Sequence, residues 1–145
     1  MSRDADRIAL TLRRRLLDLE KAVRAAEKES AQEALAIARR LSSGPLSAGD
    51  LRRLQHPYST ARSRSPQDPA IINVRSGRFR DAWRVTNPRR TAGGLVTRLI
   101  NTAPYARYLL FGTRRMIARP ILKRIQEILA PKRAAIYRKQ LRRVR

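Results

Sequence analysis

The first forty residues carry one uninterrupted stripe of apolar side chains, which constrains the fold more than any other part of the sequence. The stripe recurs at spacings of three and four, the repeat of an amphipathic helix. Neither Gly nor Pro occurs before Gly44-Pro45, so the pattern predicts one helix over residues 1–43. The stripe consists of Ile8, Leu12, Leu16, Leu19, Val23, Ala26, Ser30, Ala34, Ile37 and Leu41.

This helix would be roughly 50–55 Å long, which is longer than a chain of 145 residues needs for its own core. Two interpretations of the excess length are open. In the first, the part of the stripe with small side chains, residues 26–38, packs against another subunit. In the second, the helix folds back or breaks near Ser30, which would give it the length of an ordinary globular helix.

Basic residues are concentrated after this first helix. Residues 1–50 contain ten Lys or Arg and eight Asp or Glu, whereas residues 51–145 contain twenty-four and three. The net charge of +23 therefore comes almost entirely from the second part. Such a field attracts DNA, RNA, anionic lipid or an acidic protein surface. The simplest alternative is a solvated face that is kept soluble by its charge.

The composition argues against most catalytic and metal chemistry. The chain has no cysteine and one histidine, so disulfides, thiol nucleophiles, zinc fingers and iron–sulfur sites are excluded. His56 lies in a Pro-rich stretch without Asp, Glu or Cys around it. We therefore expect no enzyme activity, no metal and no cofactor. No apolar run reaches the roughly 18 residues that span a bilayer, so we expect no membrane partner either.

Residues 44–75 are predicted to form an irregular connection, because Gly, Pro, Ser and Arg dominate them. A short helix fits residues 47–55, with Ser47 as its cap and Asp50 at the third helical position. Residues 45–75 have too few apolar side chains to offset the entropy of ordering them. We expect this connection to gain much of its order from neighbouring subunits.

Residues 76–130 have the pattern of an α+β core. Ser76 is placed to cap a turn of helix that carries Phe79 and Trp83 on one side. Residues 84–87 and 95–102 are predicted to pair as a small antiparallel sheet, since 95–102 is β-branched and aliphatic and a Gly-Gly turn lies between them. Pro104 then begins a further helical turn that Gly112 ends.

The remaining residues are predicted to form a C-terminal amphipathic helix with a basic tail. Pro120 begins this helix, Pro131 is expected to kink or divide it, and residues 131–145 form the tail. The predicted fold is therefore α+β, in a single domain over residues 1–145. The inward side chains of the helix are predicted to be Ile121, Ile125, Ile128 and Leu129.

Residues 101–113, followed by 116–120, resemble the signature of phage tail-component proteins, the neck, tail-completion and head–tail joining proteins of long-tailed bacteriophages. That signature is Tyr-Ala, then aliphatic-acid-aromatic-Gly-Thr, then Met-Pro-Ala-Arg-Pro at the head of the last helix. Residues 76–83 are similar to the family's Gly-x-Leu-x-x-Ser/Ala segment. The motif residues here are Tyr105, Tyr108, Phe111, Gly112, Thr113 and Pro120.

Two positions depart from the family pattern. Leu110 stands where the family usually has glutamate, and Ile117 stands where it usually has proline. An ion pair that the family forms through that acid is therefore not expected in this chain. One side of the helical turn carries Tyr105, Tyr108 and Phe111. Side chains in such a stripe usually pack in the core, so we expect these three to be buried.

The resemblance implies a virion structural protein that forms a ring at the head–tail junction and is made in the host cytoplasm. The ring would have six copies, with twelve as the alternative. It would join the head connector or adaptor to the tail tube or tail terminator, and line the passage for the genome DNA. The first helix and the basic tail are our candidate contact surfaces. The alternative is a basic protein that binds nucleic acid without sequence specificity.

The loop of residues 112–120 is the predicted contact site. It lies between two apolar anchors, the aromatic turn and the last helix, an arrangement in which a scaffold holds a loop while its charged tip projects. We expect Arg114, Arg115 and Arg119 to contact an acidic patch on an adjacent subunit or ring. The alternatives are that these arginines only solvate a turn, or that Arg119 pairs internally with an acid such as Asp81.

Overall fold

The computed structural model describes residues 3–53 and 68–144. It confirms the α+β class, with a long N-terminal helix, short antiparallel strands and a C-terminal helix. His56, the predicted helix end at Gln55 and residues 54–67 of the predicted connection lie outside the described residues. The elements are α1 (Arg3–Leu41), α2 (Ala48–Arg53), α3 (Arg78–Asp81), β1 (Trp83–Val85), β2 (Arg89–Thr91), β3 (Gly94–Val96), β4 (Leu99–Asn101), α4 (Ala106–Phe111) and α5 (Ile121–Leu141).

Helix α1 is continuous, so the alternative of a break near Ser30 is wrong. Acidic Asp4 and Asp6 lie in its first turn, and basic Arg39 and Arg40 lie in its last turn. Both placements favour the helix because they complement its macrodipole. Ser30 is buried and small, so it lets a neighbouring helix approach α1 without interrupting the stripe.

That neighbouring helix is α5 of the same chain, which lies antiparallel to α1. Lys132 of α5 pairs with Glu33 of α1, whereas Lys139 donates to Glu29 over 2.8 Å. Ala26 and Ala38 are completely buried. The expectation that residues 26–38 pack against another subunit is therefore wrong, because these small side chains are covered within the chain.

The core lies where the C-terminal half of α1 meets α5, α3 and the β1–β4 strand pair. Ile37, Trp83 and Ile121 are almost fully buried, and the Phe79 and Trp83 rings meet edge to face with centroids 5.6 Å apart. The indole Nε1 of Trp83 donates to the Ser42 hydroxyl over 2.9 Å. This hydrogen bond satisfies the one polar atom of the largest core side chain.

The predicted hairpin is present, but it is divided into two antiparallel ladders. β1 pairs with β4, so that Val85 lies opposite Leu99, and β2 pairs with β3. The register shifts by one residue between the ladders, since Asn87 and Pro88 together stand opposite Thr97. Pro88 has no N–H to contribute to a ladder, so a bulge is the position that tolerates it.

Two local predictions are corrected. Gly77, with φ 77°, is the N-cap of α3 instead of Ser76, and no side chain caps that helix. Helix α5 is not divided at Pro131, which lies inside it on the exposed side. The missing N–H of Pro131 deprives the carbonyl of Glu127 of its helical partner. Glu127 is itself exposed, so water can satisfy that carbonyl.

Candidate functional site

The loop of residues 112–120 is held tightly between α4 and α5. Gly112 has φ 75° and ψ −179°, a conformation that is essentially restricted to glycine. A Cβ at this position would lie 2.8 Å from both the Ala118 nitrogen and the Met116 oxygen. The Thr113 nitrogen donates to the Met116 oxygen over 3.0 Å. The backbone at the start of the loop is therefore closely packed against the part that returns to α5.

Arg119 does not project from this loop, which corrects its predicted role as a contact residue. Its backbone nitrogen donates to the Leu109 oxygen over 2.9 Å, and its Nη1 donates to the Pro69 oxygen over 3.5 Å. Only 6% of the residue is exposed, and burial lowers the pKa of its guanidinium. Asp81, its suggested internal partner, pairs with Arg80 instead. Arg119 thus connects the loop to α4 and to the segment that begins at residue 68.

Arg114 and Arg115 lie at the exposed tip of the loop. The backbone nitrogen of Arg115 donates to the Thr113 hydroxyl over 3.2 Å, so the turn fixes where both side chains begin. Within residues 3–53 and 68–144, no carboxylate forms an ion pair with either guanidinium. These two arginines therefore keep the placement that was predicted for them.

The aromatic stripe of α4 lies on the surface and not in the core, against expectation. Phe111 is 74% exposed and Tyr108 is 41% exposed. The opposite side of the helix supplies the core contacts through Ala106, Leu109 and Leu110. Tyr105, which is also partly exposed, approaches the Phe79 ring with centroids 6.4 Å apart.

One of the exposed aromatic rings, that of Tyr108, lies beside a cation. The Arg107 guanidinium lies 4.7 Å from the centroid of the Tyr108 ring, and its Nη2 donates to the Tyr108 hydroxyl over 2.7 Å. Such a cation–π contact orders an otherwise mobile side chain. We call the combined set the α4–loop surface, which consists of Arg107, Tyr108, Phe111, Arg114 and Arg115.

The basic C-terminal tail was another predicted contact surface, and three of its basic residues, Lys132, Arg133 and Lys139, pair with α1 within the chain. Glu27, although buried, accepts hydrogen bonds from Arg133 and from the Tyr137 hydroxyl. Glu29 accepts from Lys139 and from Gln140, and these bonds lower its pKa. The α1 side of the tail is therefore part of the fold, and only its outer side is available to a partner.

The described part of the chain has no group of three or more His, Cys, Asp or Glu residues that could hold a metal ion. None of the described helices is long and apolar enough to cross a membrane. No protein-family model, no curated protein and no solved structure matches the chain.

Two features of the surface were not anticipated from the sequence. The first is the exposure of the aromatic residues of α4. The sequence indicates it only through Ala106, Leu109 and Leu110, which form a second apolar side of the same helix and pack against the core. The second is that the uncovered part of α1 is its N-terminal half and not residues 26–38. Its signal is that the apolar stripe of α1 is longer than the helix predicted after Pro120.

Proposed function

We propose that this protein is a virion structural protein, a ring-forming neck or tail-completion subunit that joins the head connector to the tail. The observation that carries the proposal is the α4–loop surface, where Phe111 is 74% exposed on a closely packed scaffold. This surface coincides with the residues that resemble the phage tail-component signature. The proposal includes the absence of enzyme activity, of a cofactor and of a bound metal.

The chemistry of the α4–loop surface suits contact with a protein. Aromatic side chains and arginine are enriched in the buried centres of protein interfaces and contribute much of their binding energy. A loop that is already fixed loses little conformational freedom when it binds. Arg114 and Arg115 add a positive tip, for which the complementary partner is an acidic patch on an adjacent subunit or ring.

A ring requires each subunit to offer two different surfaces, one to each neighbour. The α4–loop surface is one candidate, and it is not self-complementary in charge because it carries three arginines and no acid. Six copies, or alternatively twelve, would form the ring. The surplus of basic residues in the second part of the chain would then contact the passing genome through phosphates, without reading sequence.

The double substitution Arg114→Ala/Arg115→Ala tests the proposal. We expect the melting temperature to change little, because exposed charges contribute little to stability. The yield of joined particles should fall, and separate filled heads and tails should accumulate. The control is Arg98→Ala/Lys123→Ala, which removes the same charge from exposed positions outside the α4–loop surface. Joining at the wild-type yield by the Arg114→Ala/Arg115→Ala protein would contradict the proposed contact.

The same surface also favours a second candidate, a protein that binds nucleic acid without sequence specificity. Exposed aromatic rings beside arginines can stack bases and neutralise phosphates. Titration of a labelled oligonucleotide at several salt concentrations separates the two functions. A nucleic-acid-binding protein should bind tightly with a steep dependence on salt, whereas a ring subunit should assemble with its protein partners in the absence of DNA.

A further inference from the structure

One part of α1 has no covering element within the described chain. Every residue from 4 to 19 is exposed, whereas from Ala22 onward α1 has a buried side. The hairpin reaches α1 at Glu20, which pairs with Arg90 over 3.3 Å. We call residues 3–19 the arm. At 1.5 Å per residue the arm extends roughly 25 Å beyond the other described residues.

The arm carries a stripe of large apolar side chains. Ile8, Leu12 and Leu16 are 61%, 55% and 65% exposed, and Leu19 continues their spacing. With about 3.6 residues per turn, this stripe lies in line with the buried positions farther along α1. The arm therefore presents the same helix face that the chain buries elsewhere. Among residues 3–53 and 68–144, nothing covers this face, because α5 ends at Leu141.

The end of α5 indicates where a covering helix would begin. A recess of about 300 Å³ lies between this end and α1. It is lined by Gln140, Arg143 and Val144 and by α1 residues that include Asp18 and Ala22. Because α5 lies antiparallel to α1, a helix that starts at this recess and continues in the direction of α5 would cover the arm. Such a helix would also be antiparallel to α1.

We propose that the covering helix is the arm of a second copy of this chain. An antiparallel pair centred on Leu12 places Leu12 opposite Leu12, Ile8 opposite Leu16, and Ala5 opposite Leu19. Each apolar side chain of the stripe thus meets an apolar side chain of the second copy. The contact is isologous, since both copies contribute the same surface.

The charges at the ends of the pair agree with this arrangement. The second copy's arm begins at the recess, so its first turn, with Asp4 and Asp6, arrives beside Arg143, which lines the recess. The positive N-terminal end of that arm also meets the negative C-terminal end of α5, which is favourable for two helix dipoles in line. The pairing does not depend on the ring or virion function, and it leaves the α4–loop surface free.

Molecular mass in solution tests the pairing, by sedimentation equilibrium of the full chain over a dilution series. The wild-type protein should have twice the mass of a single 16.6 kDa chain. Leu12→Glu should have the mass of one chain. The matched control is Leu10→Glu. Leu10 and Leu12 are similarly exposed, at 52% and 55%, but Leu10 lies on the opposite side of the helix. Leu10→Glu should remain a dimer, and thermal unfolding should show that both variants are folded.

Disulfide formation tests the direction and the register, and the absence of native cysteine leaves no background. Leu12→Cys should form disulfide dimers by itself when oxidised, whereas Leu10→Cys should not. Ile8→Cys should form them only when it is mixed with Leu16→Cys, since these positions face each other in the antiparallel pair.

Several results would overturn the proposal. The first is a wild-type protein that remains a monomer at every concentration. The second is an equal loss of dimer in Leu10→Glu and Leu12→Glu. The third is the formation of Ile8→Cys disulfide dimers without Leu16→Cys, which would indicate parallel arms. Monomers that bind vesicles of anionic lipid through the arm, and lose that binding in Leu12→Glu, would assign the stripe to a membrane surface instead.

Discussion

Replacement of Gly112 by alanine should destabilise the protein strongly, because the α4–loop surface depends on the backbone conformation of this residue. Its φ of 75° with ψ of −179° costs a residue with a side chain about 1–3 kcal/mol. The new Cβ would lie 2.8 Å from two backbone atoms, and relief of such crowding costs about 1–3 kcal/mol more. The lower entropy of the unfolded variant offsets about 0.4–1 kcal/mol. With the middle value of each range, we expect the free energy of unfolding to fall by about 3 kcal/mol, within a span of about 2–4 kcal/mol.

Urea denaturation measures this loss, with the fluorescence of Trp83 as the signal. This is the only tryptophan in the sequence, and it is 1% exposed in the fold. With a slope of about 2 kcal/mol per molar urea, the midpoint should fall by about 1–2 M. Gly93→Ala is the control, since a Cβ there meets no atom within 4 Å. Midpoints for Gly112→Ala and Gly93→Ala that agree within error would refute the argument.

Two further substitutions probe the contacts of the core and of α5. Ser42→Ala removes the acceptor of the buried Trp83 indole and should cost about 1–3 kcal/mol, measured by the same urea titration against the exposed Ser43→Ala control. Burial of Tyr137, followed by its hydrogen bond to Glu27, raises the pKa of its phenol in the folded protein. The protonated phenol therefore contributes to the free energy of unfolding below the pKa of the unfolded state, and this contribution is lost as the pH rises through the folded pKa. In urea titrations at increasing pH, Tyr137→Phe should lose the part of the fall in stability at alkaline pH that the phenol causes. An unchanged fall would contradict the role given to Tyr137.

The periodic parts of the sequence were sufficient to predict the elements of the fold. The stripe from Ile8 to Leu41 predicted one long helix, and the inward placement of Ile121 and Ile125 in the last helix is confirmed. The hairpin was predicted from its β-branched strand and its turn. These features are local, because the spacing of side chains along the chain decides which of them share a face.

The partner of each face could not be predicted in the same way. Residues 26–38 are covered by α5, whereas no described residue covers the arm, because α5 ends at the recess beside Asp18. That outcome depends on how two distant segments align. Similarly, nothing in the pattern of the basic loop distinguishes Arg119, which is buried, from Arg114, which is exposed. The difference arises from the Leu109 and Pro69 carbonyls that the fold brings to Arg119.

The central proposal is that this chain is a subunit at the head–tail junction of a virion. Electron microscopy of purified particles labelled with a gold-conjugated antibody against the chain tests it most directly. We expect the label at the junction between head and tail, and we expect it to be absent from tails that lack heads if the subunit joins the head first. Particles that carry no label anywhere, with the protein recovered only on free DNA, would contradict the proposal.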